Sequence, residues 1–90
     1  MKLEWKPLAI EDRERIMDYI AEDNPVAALT LDEEFEEKAN GLLRNPRLYK
    51  PGRLKGTREI VVRPSYLMIY AIDGETISIL RVKNTAQQWP

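Results

Sequence analysis

The sequence contains neither cysteine nor histidine. Without cysteine there is no disulfide framework and no thiol nucleophile, and without either residue the usual zinc sites and the Ser-His and Cys-His catalytic pairs are excluded. Histidine is also the commonest general acid–base group, so acid–base chemistry would have to use Glu59, tyrosine, lysine or arginine. The sequence therefore predicts no metal, no cofactor and a fold that depends on its hydrophobic core alone.

Long apolar runs are also absent. No stretch approaches the roughly 18 apolar residues of a membrane span, and the segment Met1–Lys6 lacks the apolar run of a signal peptide. A chain of 90 residues is long enough for one core and too short for two. We expect a cytoplasmic protein that forms one domain, residues 1–90, with no membrane partner.

Each half of the chain is short of charge of one sign. Residues 1–43 hold 12 acidic and 5 basic side chains, whereas residues 44–90 hold 3 and 9. The halves carry −7 and +6, and the total of −1 hides both. This division predicts that the second half meets an anionic ligand or an acidic partner.

The first half reads as a short strand followed by two helices. Lys2–Lys6 alternates polar and apolar residues, as a half-buried strand does. Apolar residues recur at helical spacing from Leu8 to about Glu22, and Asn24-Pro25 is a strong signal for the start of a second helix that ends near Arg44. The acidic residues of these helices, including the run 32–37, are interpreted as a solvated face.

The second half reads as a basic loop, residues 45–56, followed by three strands. Arg58–Arg63, Tyr66–Ile72 and Thr76–Val82 are rich in β-branched and aromatic residues, and the Asp-Gly pair before Thr76 favours a hairpin. The order strand, helix, helix, three strands predicts an α+β fold in which an antiparallel sheet packs against a helical hairpin. The place of the first strand in that sheet stays open.

The candidate functional residues lie in the basic half. Guanidinium groups are suited to phosphate and carboxylate, but exposed basic residues also protect sheet edges, so both interpretations stay open. Tyr66 and Tyr70 either stack on bases or fill the core, and Trp89 either anchors the tail or binds a partner. The candidate basic residues are Lys50, Arg53, Lys55, Arg58, Arg63, Arg81 and Lys83.

Five segments resemble the RelE/ParE superfamily of toxins from bacterial type II toxin–antitoxin modules, and together they span nearly the whole chain. The resemblance implies the same strand, helical hairpin and three-strand fold. The segments are Trp5–Ala9, Tyr19–Ala28, Gly56–Val62, Pro64–Tyr66 and Ala86–Pro90.

The resemblance implies one of two activities. RelE-type members are ribosome-dependent endoribonucleases that cut mRNA, and ParE-type members inhibit DNA gyrase. The Asn-Pro-x-Ala-Ala and Gly-Thr-Arg-Glu motifs are closer to the ParE branch. Many relatives carry a histidine after the last strand, where this chain reads Arg81–Thr85, and this departure favours binding over RNA cleavage.

The resemblance also implies partners and roles. A cognate antitoxin would wrap a flexible segment around the toxin, and operator DNA would be contacted only through that antitoxin. Target binding by a gyrase inhibitor would fall to Arg58, Arg63, Tyr66, Arg81, Lys83 and Trp89. A nuclease acting on mRNA at the ribosome would use Lys55, Arg58, Arg63 and Arg81 as its catalytic groups, and a third alternative is a degenerate, non-toxic partner of the antitoxin. The binding hypothesis predicts that Arg81→Ala removes toxicity without unfolding the protein.

Overall fold

A computed structural model describes all residues 1–90 and confirms the predicted order of elements. In chain order they are β1 (Lys2–Trp5), α1 (Pro7–Ala21), α2 (Pro25–Gly41), β2 (Arg58–Val62), β3 (Tyr66–Asp73) and β4 (Thr76–Asn84).

Local sequence signals account for the starts of both helices. Each helix has a proline in its first turn, where the missing N–H costs nothing and the fixed φ suits the helix. The Asn24 side chain accepts a hydrogen bond from the Ala27 N–H at 3.0 Å, which caps α2 as the sequence predicts. Neither helix is long and apolar enough to cross a membrane.

The four strands form one sheet in the order β1-β4-β3-β2. β2, β3 and β4 make the predicted antiparallel meander, with Ile60 opposite Met68 and Met68 opposite Val82. β1 lies parallel to β4, with Leu3 opposite Ile77. The sheet is therefore mixed rather than wholly antiparallel, because the chain crosses over through both helices before it returns to the meander.

The core lies between the helices and one face of the sheet, which we call the inner face. Helix residues Ala28, Leu31, Phe35, Ala39 and Leu42 are buried, as their spacing predicts. They meet the inner-face residues Ile60, Val62, Met68, Tyr70, Ile77, Ile79 and Val82. The side chains that alternate with these residues along the strands point to the opposite face of the sheet, which we call the outer face.

The basic loop is anchored to β2. The Gly52 N–H donates to the Thr57 carbonyl at 2.7 Å, and the Glu59 N–H donates to the Lys50 carbonyl at 3.3 Å. A Cβ atom on Gly52 would lie 2.5 Å from the Thr57 Oγ1 atom, so only glycine allows this approach. The loop is thus folded against the edge of the sheet, although its sequence shows no periodicity.

Candidate functional site

The outer face of the sheet carries two of the predicted target-binding residues. Arg81 is opposite Ile69 and Lys83 is opposite Leu67, and cross-strand partners lie on the same face of a sheet. Leu67 is 5% exposed and Ile69 is fully buried, although both point away from the helices. This face is therefore covered, and the chain's own tail lies across it.

Trp89 is held over the outer face from two sides. The Lys83 ammonium lies 5.8 Å from the centre of its ring, and the Arg53 guanidinium donates to its carbonyl at 3.2 Å. Arg53 in turn lies 3.6 Å from the carboxylate of Glu59 on β2. We call Arg53, Lys83 and Trp89 the tail patch, in which Lys83 from a strand lies over the aromatic ring and Arg53 from the loop holds the backbone of the same residue.

Arg81 has an internal partner that the sequence does not reveal. Its Nε and Nη2 atoms donate to the two carboxylate oxygens of Asp12 at 2.8 and 3.0 Å. The same carboxylate accepts the backbone N–H of Val82 at 2.9 Å. β1 pairs with β4 only as far as Ile79. Beyond that point the Asp12 carboxylate, and not a neighbouring strand, accepts the Val82 N–H at the edge of β4.

Burial and hydrogen bonding act on Asp12 in opposite directions. Only 2% of this residue is exposed, and burial by itself would raise the pKa of its carboxyl group. The hydrogen bonds from Arg81 and from the Val82 N–H outweigh that effect and hold the pKa below its ordinary value. The same ion pair raises the pKa of Arg81. Asp12 is therefore an ionised carboxylate in the protein interior.

Arg58 and Arg63 also have internal partners. The Arg58 Nη1 atom donates to the Tyr49 carbonyl at 2.6 Å, and the Arg63 Nε atom donates to Glu34 on α2 at 2.9 Å. Arg58 is opposite Tyr70 on the inner face, and Arg63 follows β2 in a turn with φ of 55°. The structure does not bring these two arginines together with Arg81, and Lys55 is an exposed loop residue.

The two tyrosines of β3 belong to the inner face. Tyr70 is fully buried, and its hydroxyl donates to the Pro46 carbonyl at 2.7 Å. The half-buried Tyr66 packs edge to face against Phe35, with 5.6 Å between ring centres. Core packing, one of the two interpretations left open by the sequence, is what the structure supports, and no aromatic platform is present on the outer face of β3.

A groove of about 470 Å³ lies between α1 and the last part of β4. Ile16, Tyr19, Tyr66 and Val82 supply its apolar surface. Tyr19 is 77% exposed, although its helical spacing predicts burial, because Ile16 and Ile20, one turn apart on α1, take the positions that pack against the core. The groove is the only place where a predicted target-binding residue, Tyr66, borders an apolar depression.

Sequence reasoning missed Asp12 and the position of Arg53. Asp12 lies in a run of charged residues, 11–15, which predicts a solvated face, and its neighbours Glu11 and Glu14 are indeed exposed. The missing signal is its position three residues after the buried Ala9, which places both on the same helix face. No group of three or more acidic side chains is arranged to hold a metal ion.

The chain is similar to a toxin family over nearly its whole length. A family model described as the ParE toxin of the type II toxin–antitoxin system, parDE, matches residues 3–89. The Y4kP protein of Sinorhizobium fredii is 32% identical over 90 residues, which cover 99% of this chain and 93% of that protein. Toxin RelE2 of Caulobacter vibrioides is 31% identical over 85 residues, or 92% and 93% of the two chains.

Solved structures share the fold. A chain of the chromosomal ParDE system from P. aeruginosa has a TM-score of 0.82 at 25% identity, over 93% of this chain and 95% of that one. A chain of the toxin–antitoxin complex RelBE2 from Mycobacterium tuberculosis has a TM-score of 0.63 at 28% identity, over 92% and 95%. Sequence and structure agree: this chain belongs to the ParE toxin family of type II toxin–antitoxin systems, within the RelE/ParE superfamily.

Proposed function

We propose that this chain inhibits DNA gyrase by binding it and that a cognate antitoxin keeps it silent. The observation that carries the proposal is the match of residues 3–89 to the ParE toxin model, because gyrase inhibition is the activity that the ParE resemblance implies. The tail patch is the surface that we assign to the target. It combines two cations with a large aromatic ring, which is the composition of an interface anchor.

The positions of the predicted catalytic residues favour binding over RNA cleavage. A nuclease needs its charged groups directed at one scissile phosphate. Arg58, Arg63 and Arg81 instead donate to the Tyr49 carbonyl, to Glu34 and to Asp12. These partners lie at three different places in the fold. Each arginine therefore makes a contact that stabilises the fold, and the three are not directed at a common point.

A second candidate function is ribosome-dependent cleavage of mRNA. The observation in its favour is the similarity to Toxin RelE2, which is 31% identical over 85 residues. In this case Lys55, with the arginines above, would have to be rearranged around the RNA on the ribosome. Such a rearrangement would break the Arg81–Asp12 pair, which makes this candidate the more costly of the two.

We infer an antitoxin partner from the two solved relatives named above, which come from the ParDE system and the RelBE2 toxin–antitoxin complex. The groove between α1 and β4 suits an apolar residue of an antitoxin segment, because Ile16, Tyr19 and Val82 line it. Acidic antitoxin residues would meet the half-exposed guanidinium groups of Arg63 and Arg58. Operator DNA would then be contacted through the antitoxin.

Controlled expression in a sensitive host tests the proposal. We expect growth arrest with loss of negative supercoiling of a reporter plasmid and gyrase-dependent DNA breaks, relieved by co-expression of the antitoxin. Messenger RNA cuts mapped on ribosomes, with unchanged supercoiling, would reject gyrase as the target. Normal growth would instead favour the third alternative, in which the chain is a degenerate, non-toxic partner of the antitoxin.

Variants of the tail patch test the assigned surface. With purified protein, we expect Lys83→Ala and Trp89→Ala each to weaken inhibition of gyrase supercoiling by at least about tenfold, as expected when an interface anchor is truncated. Lys2→Ala is the matched control, because Lys2 is an exposed cation on β1 with no acidic partner within 4.0 Å. Circular dichroism checks that each variant is folded.

A further inference from the structure

Three adjoining depressions run along the end of the molecule formed by α2, the loop and β2. The first, of about 340 Å³, is bordered by Lys38 and Arg44, and the second, of about 400 Å³, by Arg44 and Arg47. The third, of about 240 Å³, lies between Arg47 and Arg58. Neighbouring depressions share Arg44 and Arg47, and we call the three together the basic trough.

The cations of the basic trough are not neutralised by the protein. None of Lys38, Arg44, Arg47 and Arg58 has a carboxylate within 4.0 Å, and Glu37 is the one acidic residue on the lining. Elsewhere in the molecule, arginines are paired with Asp12, Asp32, Glu34 or Glu59. The trough therefore holds three of the six unpaired cations of the basic half, together with Lys38 from α2.

One guanidinium of the basic trough is already oriented. Arg58 is half-buried and donates through Nη1 to the Tyr49 carbonyl at 2.6 Å, and none of its other nitrogens has a partner within the protein. Burial raises the pKa of the Tyr70 hydroxyl, and the positive charge of Arg58 opposes that rise. A pre-oriented guanidinium loses less side-chain entropy when an anion binds.

The lining of the basic trough distinguishes between classes of anionic partner. A protein partner needs an apolar pocket for an anchor residue, and the groove between α1 and β4 offers one. The trough has Asn45 and Thr57 beside its cations, with Leu48, Tyr49 and Ile72 as its apolar lining residues. A strongly positive surface is typical of interfaces with nucleic acids.

We propose that the basic trough binds the phosphodiester backbone of a nucleic acid. This site lies beside β2 and shares Arg58 with the antitoxin contact proposed above, whereas Lys38, Arg44 and Arg47 take no part in the gyrase or antitoxin binding described there. It goes beyond the proposed function, in which operator DNA is contacted only through the antitoxin. The near-neutral chain, with a net charge of −1, would bind through this local field rather than through its total charge.

Fluorescence anisotropy with the full chain tests the trough, using a labelled DNA duplex and a single-stranded RNA of the same sequence. We expect Arg47→Glu to weaken binding of at least one probe by about tenfold or more. The logarithm of the association constant falls as the logarithm of salt concentration rises. We expect Arg47→Ala to make this slope less steep, by about 0.9 on the duplex or about 0.7 on the single strand, since one phosphate contact is lost. Comparison of the two probes identifies DNA or RNA as the source of the phosphodiester.

Lys2→Glu is the matched control, because it makes the same change in charge at an exposed residue with no ion pair. It lies on β1, at the edge of the sheet opposite the basic trough. We expect it to change affinity by less than about threefold, since it is screened from the trough in salt.

Three results would overturn the proposal. They are no binding of either probe, equal weakening of binding by Arg47→Glu and Lys2→Glu, and displacement of the labelled probe by polyglutamate as effective as displacement by unlabelled nucleic acid. The last result would indicate an acidic protein as the occupant. Neither gyrase nor the ribosome takes part in this assay. A trough variant that loses nucleic acid binding but still inhibits gyrase therefore separates this inference from the proposed function.

Discussion

Two ion pairs of almost equal length and very different surroundings join a carboxylate of the acidic half to an arginine of the basic half. Asp12 and Arg81 are 2.8 Å apart, and their side chains are 2% and 24% exposed. Glu34 and Arg63 are 2.9 Å apart, but 33% and 42% exposed. The first pair also satisfies the Val82 N–H, whereas the second has no backbone partner. Distance alone therefore says little about what a pair contributes, because burial and further hydrogen bonds decide it.

Removal of the Asp12 carboxylate should have the largest effect. Asp12→Ala leaves the Arg81 guanidinium and the Val82 N–H without an acceptor at the edge of β4. We expect a loss of about 3–5 kcal/mol in the free energy of unfolding, as for other broken buried pairs. Urea denaturation followed by circular dichroism measures it.

Glu11→Gln is the control for that measurement, because Glu11 is the exposed neighbour of Asp12 on α1. It should change stability by less than about 0.5 kcal/mol. Equal stability of Asp12→Ala and the unchanged chain would contradict the role of Asp12. Arg81→Ala should also be destabilised, contrary to the expectation from the sequence, because it leaves the buried Asp12 carboxylate without its partner. Loss of toxicity in this variant would therefore not by itself assign Arg81 to the target surface.

Acid should weaken the Asp12–Arg81 pair without any substitution. The pKa of Asp12 in the folded protein lies below its ordinary value of 3.8. Its contribution is therefore fully present above that value and is lost as the pH falls through the folded-state pKa. We expect the stability difference between the unchanged chain and Asp12→Asn to be constant between pH 5 and 7, roughly, and to narrow below about pH 4. A difference that does not change with pH would show that the charge of Asp12 contributes nothing.

Arg13 provides an intermediate case between the two pairs. Its side chain is 14% exposed, it donates two hydrogen bonds of 2.8 Å to the Asp32 carboxylate, and its guanidinium lies 4.3 Å from the centre of the Trp5 ring. We expect Arg13→Ala to cost about 1–3 kcal/mol, since α1, α2 and β1 lose a shared contact. Arg15→Ala is the comparison in thermal denaturation. The Arg15 side chain is 69% exposed, so its removal should change the free energy of unfolding little.

Arg63→Ala should have the smallest effect. The pair with Glu34 is largely solvated, so we expect a loss of less than about 1 kcal/mol, and the loss should shrink further in high salt. If Arg63→Ala lowered the free energy of unfolding as much as Asp12→Ala does, burial would not explain the difference between the two ion pairs. Denaturation in low and in high salt makes the comparison.

Most of the fold could be predicted from local patterns. Asn24-Pro25 marks the start of α2 because the cap and the proline act within a few residues of each other. The buried series from Ala28 to Leu42 follows from helical spacing in the same way. The parallel position of β1 beside β4 could not be predicted, because pairing between strands so far apart in sequence depends on how the helices cross the sheet.

The candidate site was predicted only in part. Lys83 and Trp89 were both identified as candidates, but their contact with each other, and with Arg53, arises only when the tail folds back over the sheet. Arg58 and Arg63 were identified as a group with Arg81, and the structure separates them because each is held by a different acceptor. Arg47 was not a candidate, since no local pattern distinguishes it from other loop residues.

The sequence by itself determined the two helices, the meander, the absence of cysteine and histidine chemistry, and the division of charge along the chain. These are consequences of composition or of spacing over a few residues. Tertiary structure decided which charges are used inside the protein. Asp12 and Arg81 are 69 residues apart, and only the packing of α1 on β4 brings them together, because an ion pair forms where geometry and burial allow it and not where the charges lie in the sequence.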